Sequence, residues 1–302
     1  MPAIVVDRLH KAYGDVRAVD GVSFEVAEGE VYGLLGHNGA GKSTTVEILE
    51  GHRTASSGDV SVMGMNPAVS GRELRDRIGI VLQSSQVESE LTVREALRFY
   101  GGCYRRRREI DDVIEMVGLT AKADARIGTL SGGQKRRIDL GLGIIGTPEV
   151  LFLDEPTTGF DPVARRQSWE LVQRLCDGGA TVLLTTHYLD EAEYLADRVG
   201  VLAGGRMVAE GTPDQLMSAV PDATISFELP PQLSADDLAV PASAEVTGSV
   251  VNIRTESPTA ALAPIIAAAA DRAVELDNLT VRRPSLEDVF LRLGDEHGEG
   301  GS

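Results

Sequence analysis

Apolar and polar residues alternate at 3–9 and again at 21–27, the period-two texture of half-buried strands, and the two stretches are expected to pair antiparallel. The texture then changes. Val31-Tyr32-Gly33-Leu34-Leu35 is an apolar run suited to a strand buried on both faces, and Thr44–Leu49 opens a helix. Strands are predicted at Asp59–Met63 and Arg77–Leu82. From Thr92 to about Val117 the period is helical, with Val93, Ala96, Leu97 and Tyr100 on one face and Val113, Ile114 and Val117 repeating the pattern. A helix follows Ser131. Three further buried runs, Val150–Asp154, Thr181–Thr185 and Arg198–Leu202, separated by helical stretches, predict a parallel sheet covered on both faces.

Near 212–222 the pattern breaks. Pro213, Pro221, Pro230, Pro231 and Pro241 cluster in largely acidic surroundings. Beyond them lie candidate elements at Thr224–Leu229, Glu245–Thr255, an alanine-rich helix, Ala273–Arg283 and Leu286–Leu293, read as a small appended α+β module. The expected division is a first domain over 1–215, containing a helical subdomain at about 84–145, a second over 216–295, and a disordered tail at 296–302.

The chain has 302 residues and a net charge of −17, with a pI of about 4.7. Such acidity opposes contact with a phosphodiester backbone, so no nucleic-acid partner is expected. The run Arg105–Arg108 stands against the trend; it reads as a solvated turn before an acidic helix, with contact to anionic lipid headgroups as the alternative. Cys103 and Cys176 are isolated from other metal-ligating residues, which suits reduced thiols and indicates no zinc site. No leader peptide is expected at the N-terminus. The longest greasy stretch, Ala260–Ala270, is interrupted by Pro264 and is too short to cross a bilayer. Any membrane role must come through a partner.

Two patterns carry chemistry. Residues 36–44, Gly-His-Asn-Gly-Ala-Gly-Lys-Ser-Thr, fit the phosphate-binding loop through Gly36, Gly41, Lys42 and Ser43, between a strand and a helix as that loop requires. The glycines let successive N–H groups turn toward phosphate oxygens, and the helix N-terminus adds partial positive charge. Lys42 would reach the β- and γ-phosphates and the Ser43 hydroxyl would ligate Mg²⁺. Val150–Glu155 is an apolar strand ending in two carboxylates. Asp154 at its C-terminal edge would order Mg²⁺ and Glu155 would polarise an attacking water; a simple acidic strand end is the structural alternative.

Leu130-Ser131-Gly132-Gly133-Gln134, at a helix start, makes a second anion cradle. With these three motifs in order, the chain resembles the nucleotide-binding subunits of the ATP-binding cassette (ABC) family over about residues 3–215. The resemblance implies a fold: a P-loop NTPase of the α/β class, with a mixed-sheet core, an antiparallel β subdomain and a helical subdomain, here followed by the small α+β module. It also implies roles. Tyr13 would stack on adenine, and Gln83 would sense Mg²⁺ and water and link to the membrane partner. Asp161 would communicate across a dimer, and His187 would bond the γ-phosphate. Phe160 replaces the usual leucine and His37 the usual proline. The expected catalytic set is Glu155, His187, Gln83 and Lys42, and the expected metal set Ser43, Gln83 and Asp154. The expected nucleotide-binding set comprises Tyr13, Gly36, Asn38, Gly39, Ala40, Gly41, Lys42, Ser43, Thr44, Gln83, His187, Ser131, Gly132, Gly133, Gln134 and Asp161.

Pro284-Ser285-Leu286-Glu287-Asp288-Val289-Phe290-Leu291 and His187–Glu193 are similar to the daunorubicin-resistance type of drug exporter ATPase. The resemblance therefore implies an ATPase that binds ATP and Mg²⁺ and works as a homodimer or pseudo-dimer. Each ATP would be held between one copy's phosphate loop and the other's Ser131 turn. Peripheral at the cytoplasmic face of the cell membrane, it would power export of a drug-like molecule through a separate integral membrane permease. The alternative is a soluble, non-transport ABC ATPase of translation or repair. The 130 − 83 = 47 residues between Gln83 and Leu130 suit a compact helical subdomain, without the long arms of chromosome-handling relatives. Import instead of export, and the role of the appended module, stay open.

Overall fold

The structure, a computed structural model, describes residues 2–81, 87–218, 223–290 and 292. These form two compact units, one up to Pro213 and one from Asp214. The first begins with a long hairpin, β1 (Pro2–Tyr13) and β2 (Val16–Ala27), whose alternate residues are buried. Then come β3 (Val31–Gly36), α1 (Lys42–Leu49) and β4 (Ser57–Val62), and β4 adds to β1 to complete a three-stranded antiparallel sheet. α2 (Pro67–Arg75), β5 (Ile78–Val81), α3 (Val93–Gly101), α4 (Ile110–Met116) and α5 (Gly132–Ile144) follow. The unit closes through β6 (Val150–Asp154), α6 (Pro162–Asp177), β7 (Thr181–Thr185), α7 (Leu189–Leu195), β8 (Arg198–Ala203) and β9 (Arg206–Gly211).

The second sheet has six strands in the order β5-β6-β7-β3-β8-β9. β6 shows why its strands read as unbroken apolar runs. Leu151 and Leu153 belong to a core shared with α3, α4, α5 and α6, while Val150 and Phe152 face a second core shared with the hairpin sheet, α1 and α2. All five parallel strands end at one edge, where βα loops gather ligands in such folds.

The structure corrects several expectations. The wholly parallel reading of the apolar runs gives way to the mixed sheet that the family resemblance implies, because β9 returns antiparallel to β8 through a turn at Gly204-Gly205, both with positive φ (55° and 79°). As an edge strand it is only half-buried, so its apolar signal is weak. α2 was not anticipated. Asn66 caps it, accepting from the Ala68 N–H at 2.9 Å, and Pro67 starts it, but Gly71 at φ 45° interrupts the helical pattern. The helical stretch 92–117 is two helices, α3 and α4, separated by a segment holding Arg105–Arg108. Leu82 and Gln83 lie outside the described residues.

The second unit contains α8 (Pro213–Ser218), β10 (Ala223–Glu228), β11 (Glu245–Thr247), β12 (Val250–Thr255), α9 (Pro258–Asp271) and β13 (Asp277–Arg282). Its four strands run β11-β12-β10-β13, and Ile225, Phe227, Val251 and Ile253 form a core with Ile265 and Ala269 of α9. The stretch 245–255 is thus a hairpin and not one strand. α9 continues through Pro264, forgoing the bond that residue cannot donate. No helix among the described residues is long and apolar enough to cross a membrane.

Candidate nucleotide-binding site

β3 lies between β7 and β8 and delivers the loop at 36–41 to the C-terminal edge of the sheet. Two glycines there admit no other residue. A Cβ on Gly36 (φ 155°) would stand 2.5 Å from the Leu202 carbonyl oxygen, and one on Gly41 (φ 101°) 2.4 Å from that of Ala18. The Ala40 N–H donates to His37 O at 3.1 Å, closing the turn. Ala40 is buried, whereas His37, Asn38 and Gly39 are exposed. Gly41 is the N-cap of α1 and brings no side-chain cap, so the first-turn N–H groups are left for an anion. Lys42 Nζ donates to Gly36 O at 2.6 Å and His37 O at 3.1 Å. Burial pulls its ammonium below the ordinary value, while Glu155 and Asp154 pull it back up. An ammonium half-stripped of water and held on neutral carbonyls favours an incoming anion. Ser43 is exposed and Thr44 partly so.

The ends of β6 and β7 supply the acidic half. Asp154 closes β6, and the Thr185 hydroxyl at the end of β7 donates to its Oδ1. Glu155 adopts φ 47°, a left-handed conformation that costs a non-glycine residue about 1 kcal/mol. Its N–H donates to Thr185 O at 2.9 Å. Its carboxylate lies 3.2 Å from Nδ1 of His187, and the Thr158 hydroxyl donates to it at 3.4 Å. His187 is half-exposed and its ring lies 4.0 Å from that of Tyr188, which carries the Arg165 guanidinium at 4.2 Å. Lys42, Asp154, Glu155 and His187 are thus gathered at one strand edge.

Ser43 and Asp154 are hard oxygen donors of the kind Mg²⁺ takes. Among the described residues no group of three or more His, Cys, Asp or Glu side chains could hold a metal.

The remaining expected residues are placed differently. Ser131 caps α5 in a reciprocal box: its hydroxyl accepts from the Gln134 N–H at 3.3 Å, and its own N–H donates to Gln134 Oε1 at 3.0 Å. Each side chain is therefore engaged with the other residue's backbone N–H. Gly132 offers open space, since a Cβ there would meet nothing within 4 Å. Asp161 caps α6, accepting from the Ala164 N–H at 2.9 Å. Tyr13 ends β1 with its ring 41% exposed, flanked by Lys11 Nζ at 5.1 Å and the Arg53 guanidinium at 5.5 Å. Gln83 lies outside the described residues.

The sequence reading missed three buried charged residues beside this site. Arg136 sits in α5 and donates to backbone carbonyls at 154–156. Its signal was legible, since Arg136, Leu140 and Ile144 share one buried face at helical spacing. Glu191 in α7 is fully buried and accepts from the Thr157 hydroxyl at 2.8 Å and the Trp169 indole N–H at 2.9 Å. Burial pushes its carboxyl up, against the donors of Thr186, Thr157 and Trp169. Glu50, at the end of α1, is pushed up to about 8 by burial, then by Asp154 and Glu47, and lies 3.2 Å from His52 Nδ1.

Comparison with known proteins fits this geometry. Residues 19–158 match the family described as ABC transporter, and 223–285 match the ABC transporter domain-containing protein-like C-terminal domain. A daunorubicin resistance ATP-binding protein of Streptomyces coeruleorubidus is 40% identical, over 96% of this chain and 94% of its own. The Nod factor export ATP-binding protein I of Rhizobium meliloti (strain 1021) is 42% identical, over 96% of this chain and 88% of its own. Among solved structures, an ATP-binding subunit of an ABC transporter superposes with a TM-score of 0.66 at 28% identity, covering 72% of this chain and 92% of its own. The cbiO1 protein of Clostridium perfringens, part of an ABC transporter complex, gives 0.65 at 30% identity, covering 72% and 91%.

Proposed function

The chain belongs to the ABC transporter family as an ATP-hydrolysing, nucleotide-binding subunit of an exporter, and from that premise we propose how its residues act and what it serves. It powers export of a small, drug-like molecule through a separate integral membrane permease, from the cytoplasmic face of the membrane. Relatives named for daunorubicin resistance and Nod factor export align over nearly the whole chain and support this reading. They do not favour the non-transport alternative.

The chemistry rests on Lys42, Glu155 and His187 meeting at one strand edge. The loop N–H groups at 36–44 wrap the triphosphate, and Lys42 leaves the Gly36 and His37 carbonyls for its β- and γ-oxygens. Tyr13 stacks on the base. Ser43 and Asp154 would hold Mg²⁺, which would supply neutralisation of developing charge. His187 contacts the γ-phosphate, and Glu155, oriented by its contact with His187, takes the proton of the attacking water. Gln83 contributes to the same water and metal arrangement. The Ser131 turn and Asp161 serve the nucleotide of a second copy. An anion meeting the open backbone at Gly132 completes a pocket that neither copy closes alone.

The test is Glu155→Gln. ATP binding is expected to persist while turnover falls by about 100-fold or more, the ordinary worth of a positioned general base. Full turnover in the variant would refute the assignment.

A further inference from the structure

We propose that Arg136 is a positioning residue for Glu155, tying the hydrolytic carboxylate to the helix whose N-terminus receives the other copy's nucleotide. The inference rests on the reading of Glu155 and the Ser131 turn given above.

Arg136 is the fifth residue of α5 and is 6% exposed. Its guanidinium meets the end of β6 and the turn that follows. Nη2 donates to Asp154 O at 2.9 Å and to Glu155 O at 2.7 Å, and Nε donates to Pro156 O at 3.0 Å. These are consecutive carbonyls, presented together because the chain turns at Glu155 with φ 47°. From the other side, the Glu155 N–H is held by Thr185 O at 2.9 Å. The turn that aims the Glu155 carboxylate is therefore gripped on both sides, by β7 and by α5. A planar fork spreads its donors over carbonyls set along a turn, whereas the three donors of lysine radiate from one atom and cannot reproduce that geometry.

The arrangement is costly unless it positions something. Burial pulls the guanidinium below its ordinary value, and Asp139, at 3.8 Å, offsets this together with Asp154, Glu155 and Glu191. The opposite end of α5 is seated without slack: a Cβ on Gly143 would lie 2.5 Å from Val81 Cγ2. A helix fixed at that end transmits a displacement of its N-terminus to the carbonyls one turn below. Occupancy at the Ser131 turn thereby reports to the same copy's Glu155, so that each site is set by the state of the other.

The experiment compares Arg136→Gln, Arg136→Lys and Glu155→Gln with wild type as full-length chains. It measures ATP affinity, ATP-dependent self-association by light scattering, and steady-state kcat and KM. Arg136→Gln is expected to lose at least tenfold in kcat while KM stays within about twofold and ATP-dependent association persists, as in Glu155→Gln. Arg136→Lys is expected to fall between Gln and wild type. Wild-type kcat in Arg136→Gln overturns the proposal. So does joint loss of turnover, ATP binding and association in both Arg136 variants, which would make this residue a support of the fold or of the Ser131 turn. If Glu155→Gln alone keeps full turnover, the reading of Glu155 fails instead.

Discussion

Glu191 gives the sharpest energetic test of how the site is supported. Its carboxyl is fully buried in α7, just beyond His187, and it takes hydrogen bonds from Thr157, in the turn after Glu155, and from Trp169 of α6. Three segments of the site thus meet on one side chain. Glu191→Ala removes the acceptor and leaves the Thr157 hydroxyl, itself fully buried, without this partner. An orphaned buried donor costs about 1–3 kcal/mol. The indole N–H of Trp169 belongs to a half-buried residue that can turn toward water, so its share is smaller. Against both stands relief from burying a carboxyl whose charged form burial disfavours. The net expectation is a loss of about 1–3 kcal/mol for Ala, and under about 1.5 kcal/mol for Gln, which keeps one acceptor oxygen. The assay is built into the chain. Trp169 is its only tryptophan, so urea unfolding followed by intrinsic fluorescence reads the affected neighbourhood. Glu191→Ala within about 0.5 kcal/mol of wild type, the range of ordinary surface changes, would refute the reasoning.

Other predictions follow from single groups. Lys42→Ala removes a charge-assisted contact worth about 1.5–3 kcal/mol, so ATP affinity measured by calorimetry should fall about 10- to 150-fold; unchanged affinity would contradict the loop assignment. Glu50 binds its proton more tightly folded than unfolded, with its carboxyl raised from 4.5 to about 8. The wild type should therefore lose stability between about pH 5 and pH 8 relative to Glu50→Gln, by up to about 3 kcal/mol, and a gap that stays constant across that range would show the carboxyl is ionised throughout. Chelating Mg²⁺ should abolish hydrolysis and leave the fold intact by circular dichroism, because no described metal cluster braces either unit.

Much of this was legible in the chain because the physics was local. A strand, a glycine-rich turn and a helix start follow one another within 31–49, and two of its glycines, Gly36 and Gly41, answer to close approaches of backbone. The buried strands declared themselves because both faces of the sheet are covered. β9 escaped because an edge strand has one neighbour and few buried residues, and α2 because Gly71 breaks its period. Ser131, Gln134 and Asp161 show a different limit. The residue types that cradle an anion are those that cap a helix, and in this structure they cap. Glu191 was hidden for a third reason. It is recognised by partners distant in sequence, 34 residues away for the Thr157–Glu191 bond, whereas Arg136 is marked by the buried helical face it shares with Leu140 and Ile144.

The proposed site takes its phosphate loop from one copy and its Ser131 turn from another. Lys42→Ala disables the first, and Gly132→Asp puts a carboxylate at the second where the structure has room for one. Each variant alone should be inactive. Mixed in equal amounts, half the two-fold dimers carry one variant of each kind, and in those one of two composite sites is intact, so up to about a quarter of wild-type ATPase activity should return, less where the blocked site holds back its neighbour. A mixture as silent as its two components would contradict the account.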